Sequence, residues 1–172
     1  MPSDFPSFPQ ASSGTELYGL VDAPYANDLR QRQSTTGFAL LLNGAAVVYK
    51  SSTQTTTALS ATEAEFYAAV AAAKAVIFVW SLLTDLGFPP SGPTKLYEDN
   101  EACINIVNND IPTPRSKHID TRWFRVQEWA SLGDIIMNKI PGITDSSDGL
   151  TNPNGWVLHH RHAQRIMGHY CD

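Results

Sequence analysis

The chain has 172 residues, with 12 Lys and Arg against 17 Asp and Glu, for a formal charge of −5. At 42% hydrophobic and 17% charged residues it is a globular chain long enough for one domain with a real core, not a disordered one. Three features are missing: a run of about 20 uninterrupted apolar residues, a basic-then-apolar start, and a C-x-x-C pair beyond the lone Cys103 and Cys171; these absences argue against a membrane span, a secretory signal, a disulfide framework and a cysteine zinc site.

Residues 1–14 are rich in Pro and Ser and read as a flexible leader or linker remnant, leaving 15–172 as the domain. Leu17 to Tyr25 has strand composition and ends near Pro24. Asn27 to Ser34 is a polar loop. Thr36 to Leu42 and Ala45 to Ser51 are apolar runs joined by Asn43-Gly44, a strong hairpin signal. The first third therefore predicts three antiparallel strands.

A long helix is expected from about Ala61 to Leu86. Ser60-Ala61-Thr62-Glu63 has capping-box spacing at its start, and Gly87, Pro89 and Pro90 stop it. Phe66, Val70, Ala73, Ile77 and Trp80 form one apolar stripe. Ala69, Ala72, Val76, Val79, Leu83 and Leu86 form another, so a wide face should be buried. Thr94 to Glu98 follows as a short strand, then a helix capped by Asp99-Asn100 and running to about Asn109. Ile111 to Pro114 is a loop, Ser116 to Leu132 a helix stopped by Gly133, and Asp134 to Ile140 a strand. Gly142 to Asn154 is turn-rich, and Trp156 to Met167 has the pattern of a last helix. The order β-β-β-α-β-α-α-β-α implies an α/β fold with helices against a sheet.

Most of the acids have ordinary explanations. Glu63 belongs to the capping box, and Glu16, Asp28, Asp85 and Asp110 lie in loops or at element ends. Glu65 differs, because the second apolar stripe traced back from Ala69 begins on it, about 200° around the helix from Glu63. A carboxylate on a buried face is costly unless something pairs with it. Asp22 interrupts an apolar strand, Asp99 stands at a strand-to-helix switch where α/β sheets build sites, and Asp148 lies in a turn before the last helix. Taken singly, Asp99 is most simply a cap and Asp148 a turn residue. If the four converge, their repulsion calls for cations, and oxygen-only ligands select Mg²⁺ or Mn²⁺. Two such ions about 4 Å apart suit phosphodiester hydrolysis.

Leu20-Val21-Asp22-Ala23, Leu59 to Ala68 (L-S-A-T-E-A-E-F-Y-A), Asp99-Asn100, Lys117-His118-Ile119-Asp120 and Asp148-Gly149-Leu150-Thr151 occur in that order. Together they resemble the ribonuclease H domain that follows reverse transcriptase in copia-type LTR retrotransposons. That family's pattern runs D-A-D-x-A, S-T-x-E-A-E-Y, D-N, K-H-I-D and A-D-x-L-T-K. The resemblance implies a ribonuclease H-like fold, with a five-stranded mixed sheet of three antiparallel and two further strands flanked by helices. It also implies hydrolysis of the RNA strand of RNA–DNA hybrids with two Mg²⁺ (or Mn²⁺) ions held by Asp22, Glu65, Asp99 and Asp148. Pro24-Tyr25, Phe124 and Asn152 depart from the pattern without removing a ligand.

Arg115, Lys117, His118, Arg122 and Arg125, with Asn100, are the candidate nucleic-acid contacts, although exposed basic residues often do no more than solvate a helix. Arg30 and Arg32, and His160, Arg161, His162 and Arg165, form smaller basic clusters. His159, His160 and His162 lack a fourth spaced ligand for zinc. The expected partners are an RNA–DNA hybrid and a reverse transcriptase domain, without a membrane or an organic cofactor, in an intracellular compartment, cytoplasmic or nuclear. The chain reads as an excised polyprotein domain or a free-standing copy. An inactive nucleic-acid-binding or scaffold module is the alternative, and an integrase or junction resolvase of the same superfold a third.

Overall fold

The computed structural model describes residues 15–26, 33–109 and 121–140, with the side chains of 121–123 left aside. The expected leader at 1–14, the loop at Ile111 to Pro114, the turn-rich segment and the last helix lie outside the described residues. The elements are β1 (Leu17–Asp22), β2 (Thr35–Leu42), β3 (Ala45–Thr53), α1 (Ala61–Asp85), β4 (Thr94–Glu98), α2 (Glu101–Asn108), α3 (Thr121–Ser131) and β5 (Ile135–Lys139).

The five strands form one mixed sheet in the order β3-β2-β1-β4-β5. β1–β2 and β2–β3 are antiparallel, while β1–β4 and β4–β5 are parallel. The β2–β3 hairpin turns at Asn43 (φ 50) and Gly44 (φ 86). Two consecutive positive φ values are what a two-residue turn between right-twisted strands requires, and Asn and Gly tolerate them best. Asn43 also ties the hairpin tip to the start of β1, because its Oδ1 accepts the Glu16 N–H at 2.9 Å.

β1 stops at Asp22, three residues short of the sequence expectation. Pro24 has no N–H for the ladder, and Ala26 takes φ 50 in the turn that follows. β3 instead runs two residues further than expected, to Thr53, paired with Thr35.

α1 is apolar and long enough to cross a membrane by length and composition alone, but half of its most apolar window is buried within the fold. Its buried face, which includes Phe66, Val70, Val76, Val79 and Leu83, packs on one side of the sheet with Val21, Phe38, Leu40 and Leu96. Five of the eleven buried residues on the helix are alanines, so the helix can sit close to the strands. Leu86 departs from the expected stripe: it is 62% exposed, since the helix ends there. The Gly87 N–H donates to the Thr84 carbonyl and the Phe88 N–H to the Leu83 carbonyl, with Gly87 at φ 86. That is the Schellman arrangement, which needs a left-handed residue just past the cap. Gly133 (φ 78) ends α3 the same way, with N–H bonds from Gly133 to Ala130 and from Asp134 to Trp129. On the opposite face of the sheet, Tyr18, Leu20, Ala39, Leu41 and Ile140 form a smaller apolar cluster. There the Tyr18 and Tyr97 rings meet edge to face at 6.3 Å.

Candidate metal centre

Parallel pairing puts the carboxyl ends of β1 and β4 at the same edge of the sheet. The paired residues are Tyr18 with Lys95, Gly19 with Leu96 and Leu20 with Tyr97. Carried two residues further, the same register sets Asp22 level with Asp99. Such an edge, where strands end and helices begin, is where open α/β sheets place ligands.

α1 enters this edge at its first turns. Ser60 caps it, with its Oγ accepting the Glu63 N–H at 3.2 Å. Glu63 completes the cap by reaching back to the Leu59 N–H at 2.7 Å, one residue earlier than the usual capping-box partner, and accepts the Tyr67 hydroxyl at 2.9 Å. Glu63 is therefore occupied as a cap. Glu65 points the other way, is 7% exposed and has a buried Oε2 with no hydrogen-bond partner.

That burial pushes the Glu65 carboxyl up to about 8, with the charges of Asp22 and Asp99 adding to the rise; the Ala23 N–H and a hydrogen bond from Glu98 oppose it. The shift locates Asp22, Glu65 and Asp99 in one electrostatic neighbourhood. Each of Glu65, Glu98 and Asp99 offers a carboxylate oxygen within 4.8 Å of the others.

Glu98 is the member that the sequence reading missed. It is the last residue of β4 and is fully buried. Its Oε1 accepts the N–H groups of Asp99 and Asn100, each at 3.1 Å, which shapes the turn out of β4. The Asn100 side chain then caps α2 by accepting the Cys103 N–H at 3.0 Å. The signal for Glu98 was in the strand alternation: Thr94, Leu96 and Glu98 share the face that looks toward α1. Cys103 lies behind the acids, where burial first, then the charges of Glu98 and Glu65, raise its thiol well above the usual range and keep it an unreactive neutral group.

The donor set suits a hard divalent cation. It is made only of oxygen, it is crowded with negative charge, and Glu65 keeps an oxygen without a partner. Asp148 and the nucleic-acid candidates Arg115, Lys117 and His118 lie outside the described residues, as does the side chain of Arg122. Arg125 is exposed on α3 and pairs with Glu128 at 2.9 Å, a surface pair that is weak and readily exchanged.

No protein-family model matches the chain. Over 135 residues, 78% of its length, it is 33% identical to the retrovirus-related Pol polyprotein from transposon TNT 1-94 of Nicotiana tabacum. The chain spans about a tenth of that relative, the aligned region being 10% of the polyprotein. Ribonuclease H1 from the halophilic archaeon Halobacterium salinarum NRC-1 superposes with a TM-score of 0.51 at 19% identity, covering 80% of this chain and 94% of that one. LC11-RNase H1, solved in complex with an RNA/DNA hybrid, superposes with a TM-score of 0.57 at 12% identity over 80% and 94% of the two chains. The chain is homologous to a plant retrotransposon Pol polyprotein and has the ribonuclease H fold. Within this ribonuclease H-fold domain, the mixed sheet and the flanking helices agree with the expectation from sequence. Asp22, Glu65, Glu98 and Asp99 gather where β1, β4 and α1 meet.

Proposed function

We propose that this chain is the ribonuclease H domain of a copia-type retrotransposon polyprotein and hydrolyses the RNA strand of RNA–DNA hybrids. The observation that carries the reading is Glu65. Its buried, partly unpaired carboxylate faces Glu98 and Asp99 and feels Asp22, at the edge where two parallel strands end. Outside a binding site, such an arrangement is costly.

Asp22, Glu65, Asp99 and Asp148 are the residues proposed to hold Mg²⁺ or Mn²⁺, with Glu98 beside them. Bound there, divalent cations supply acidity toward an attacking water and charge neutralisation at a leaving oxygen. The chain's own part is to give up the Glu65 proton when positive charge arrives, and to keep Glu65 fixed through the Ala23 N–H. Glu98 holds the Asp99–Asn100 turn so that the exposed Asp99 carboxylate stays at the rim. Asn100, Arg115, Lys117, His118, Arg122 and Arg125 are proposed to contact the hybrid, which makes binding salt-dependent. A reverse transcriptase domain as neighbour fits the polyprotein relative.

The test is incubation with labelled RNA–DNA hybrid, duplex DNA and duplex RNA in Mg²⁺ or Mn²⁺. Loss of RNA from the hybrid alone is expected, and Asp99→Asn should abolish it. Hybrid binding without cleavage would make the chain an inactive binding module, and cleavage of duplex DNA would move it to another nuclease class.

A further inference from the structure

On the flank of α1 away from the acids, a groove of about 390 Å³ lies between the helix and the β2–β3 edge of the sheet. Tyr67, Val70, Ala71 and Lys74 wall it from one face of the helix, as their spacing of three and four dictates. Lys50, Ser52 and Thr53 of β3, with the Gln54–Thr56 loop, form the other wall and the rim. Among the described residues no carboxylate lines it, although the chain as a whole carries −5. Lys50 and Lys74 are both exposed, and among the described residues neither forms an ion pair.

Gln54 sits at the floor, 7% exposed. Its Nε2 donates to Thr36 Oγ1 at 3.1 Å and to the Ala64 carbonyl at 2.9 Å. Its Oε1 is buried with no donor. A buried acceptor left unpaired is costly, so the floor of the groove carries a local strain. The groove thus combines two exposed ammonium groups with a rim of hydroxyls. The Ala64 bond links its floor to the helix turn that carries Glu65.

We propose that this groove is a second nucleic-acid contact, in which the phosphodiester backbone of a strand engaged at the acidic centre continues over the first turns of α1 and lies between Lys50 and Lys74. The strand's arrival at the acids rests on the ribonuclease H reading; the groove's preference for phosphate rests on its own charge. From Glu65 to Lys74 the helix rises about 14 Å, roughly four nucleotide steps at about 3.4 Å each.

The experiment is fluorescence anisotropy with a labelled RNA–DNA hybrid in EDTA, which stops cleavage, across a salt series. The Lys50→Gln/Lys74→Gln double variant should bind about tenfold more weakly at low salt, with a slope of log affinity against log salt shallower by roughly 1.5 to 2. Lys50→Arg/Lys74→Arg should restore both. Unchanged affinity and slope in the Gln double variant overturn the proposal. So does a Gln double variant that loses affinity for inorganic phosphate yet holds the hybrid as before. Cleavage measured in parallel keeps the two readings apart. A wild-type chain that cuts hybrid, beside a Gln variant with an unaltered slope, loses the groove and keeps the nuclease. A chain that binds hybrid through these lysines and cuts nothing keeps the groove and loses the nuclease.

Discussion

Glu98 accepts the backbone N–H of Asp99 at 3.1 Å, so one acidic side chain builds the turn that presents the next. The same oxygen takes the Asn100 N–H, which leaves two main-chain donors dependent on it. Glu98→Ala would strand both and open a cavity at a fully buried position. A loss of roughly 2–4 kcal/mol in urea unfolding is expected. Glu98→Gln keeps an acceptor of the same shape, so it should cost clearly less. Equal destabilisation by the two variants would show that the turn does not rely on this oxygen.

Glu65 makes the metal-free stability depend on pH. Its carboxyl rises from an ordinary 4.5 to about 8 on folding, chiefly through burial. The folded state therefore holds this proton more tightly than the unfolded state does. The resulting stability is fully present below the unfolded value and is lost as pH rises through about 8. In EDTA, the melting temperature should fall between about pH 5 and pH 9, and Glu65→Gln should flatten that part of the curve. A wild-type curve as flat as the variant's would mean that Glu65 is not the strained group.

Cations should reverse that loss. If Asp22, Glu65 and Asp99 hold Mg²⁺ or Mn²⁺, binding to the folded state alone adds about 2.7 kcal/mol at a concentration a hundredfold above the dissociation constant. The rise in melting temperature should be larger at pH 8.5 than at pH 6, because at pH 6 the cation must displace the Glu65 proton. Asp99→Asn should remove most of the rise and lower hybrid cleavage by about a hundredfold or more. A cation effect equal in wild type and Asp99→Asn would place the ion elsewhere.

The parts of this fold written in short-range chemistry could be read from the sequence. Asn43-Gly44 announced the hairpin, Ser60 with Glu63 the start of α1, and Gly87 and Gly133 the ends of α1 and α3. Glu65 stood out because a charge on an apolar stripe is a local contradiction. Features set by tertiary geometry were harder. The end of β1 at Asp22 depends on where its neighbours stop pairing, and Leu86 is exposed because the helix ends there. Glu98 was hidden by its neighbour: Asp99 carries the familiar motif, while Glu98 gains its meaning only once β4 is seen to turn that face toward α1. The α1–β3 groove could not be read at all, since Lys50 and Lys74 are separated by a strand end, a loop and nearly four helical turns.

Gly19 marks a close approach within the core. A Cβ built there would fall 2.5 Å from Leu96 Cδ2 and 2.8 Å from Leu40 Cδ2. Both leucines are fully buried and have little room to retreat. Gly19→Val should therefore cost about 1–3 kcal/mol by overpacking, despite valine's better strand propensity. Equilibrium unfolding checks this, and a stabilised variant would show that the leucines repack freely.

Asn108 does for the outer strand what another strand would otherwise do. Its Nδ2 donates to the Met137 carbonyl at 2.8 Å, and its Oδ1 accepts the Met137 N–H at 3.0 Å. Among the described strands β5 is the last of the sheet, and at Met137 its outward main-chain groups are met by this one amide from α2. Asn108→Ala leaves both groups without that partner, and Asn108→Asp keeps the acceptor but loses the donor. The alanine change should destabilise by about 1–3 kcal/mol, with the aspartate change costing less at low pH, where its protonated carboxyl can donate again. Amide exchange at Met137 gives the local readout: it should accelerate in Asn108→Ala by more than the global loss of stability requires. Exchange that only tracks global unfolding would mean that the Asn108 clamp contributes nothing to holding the edge.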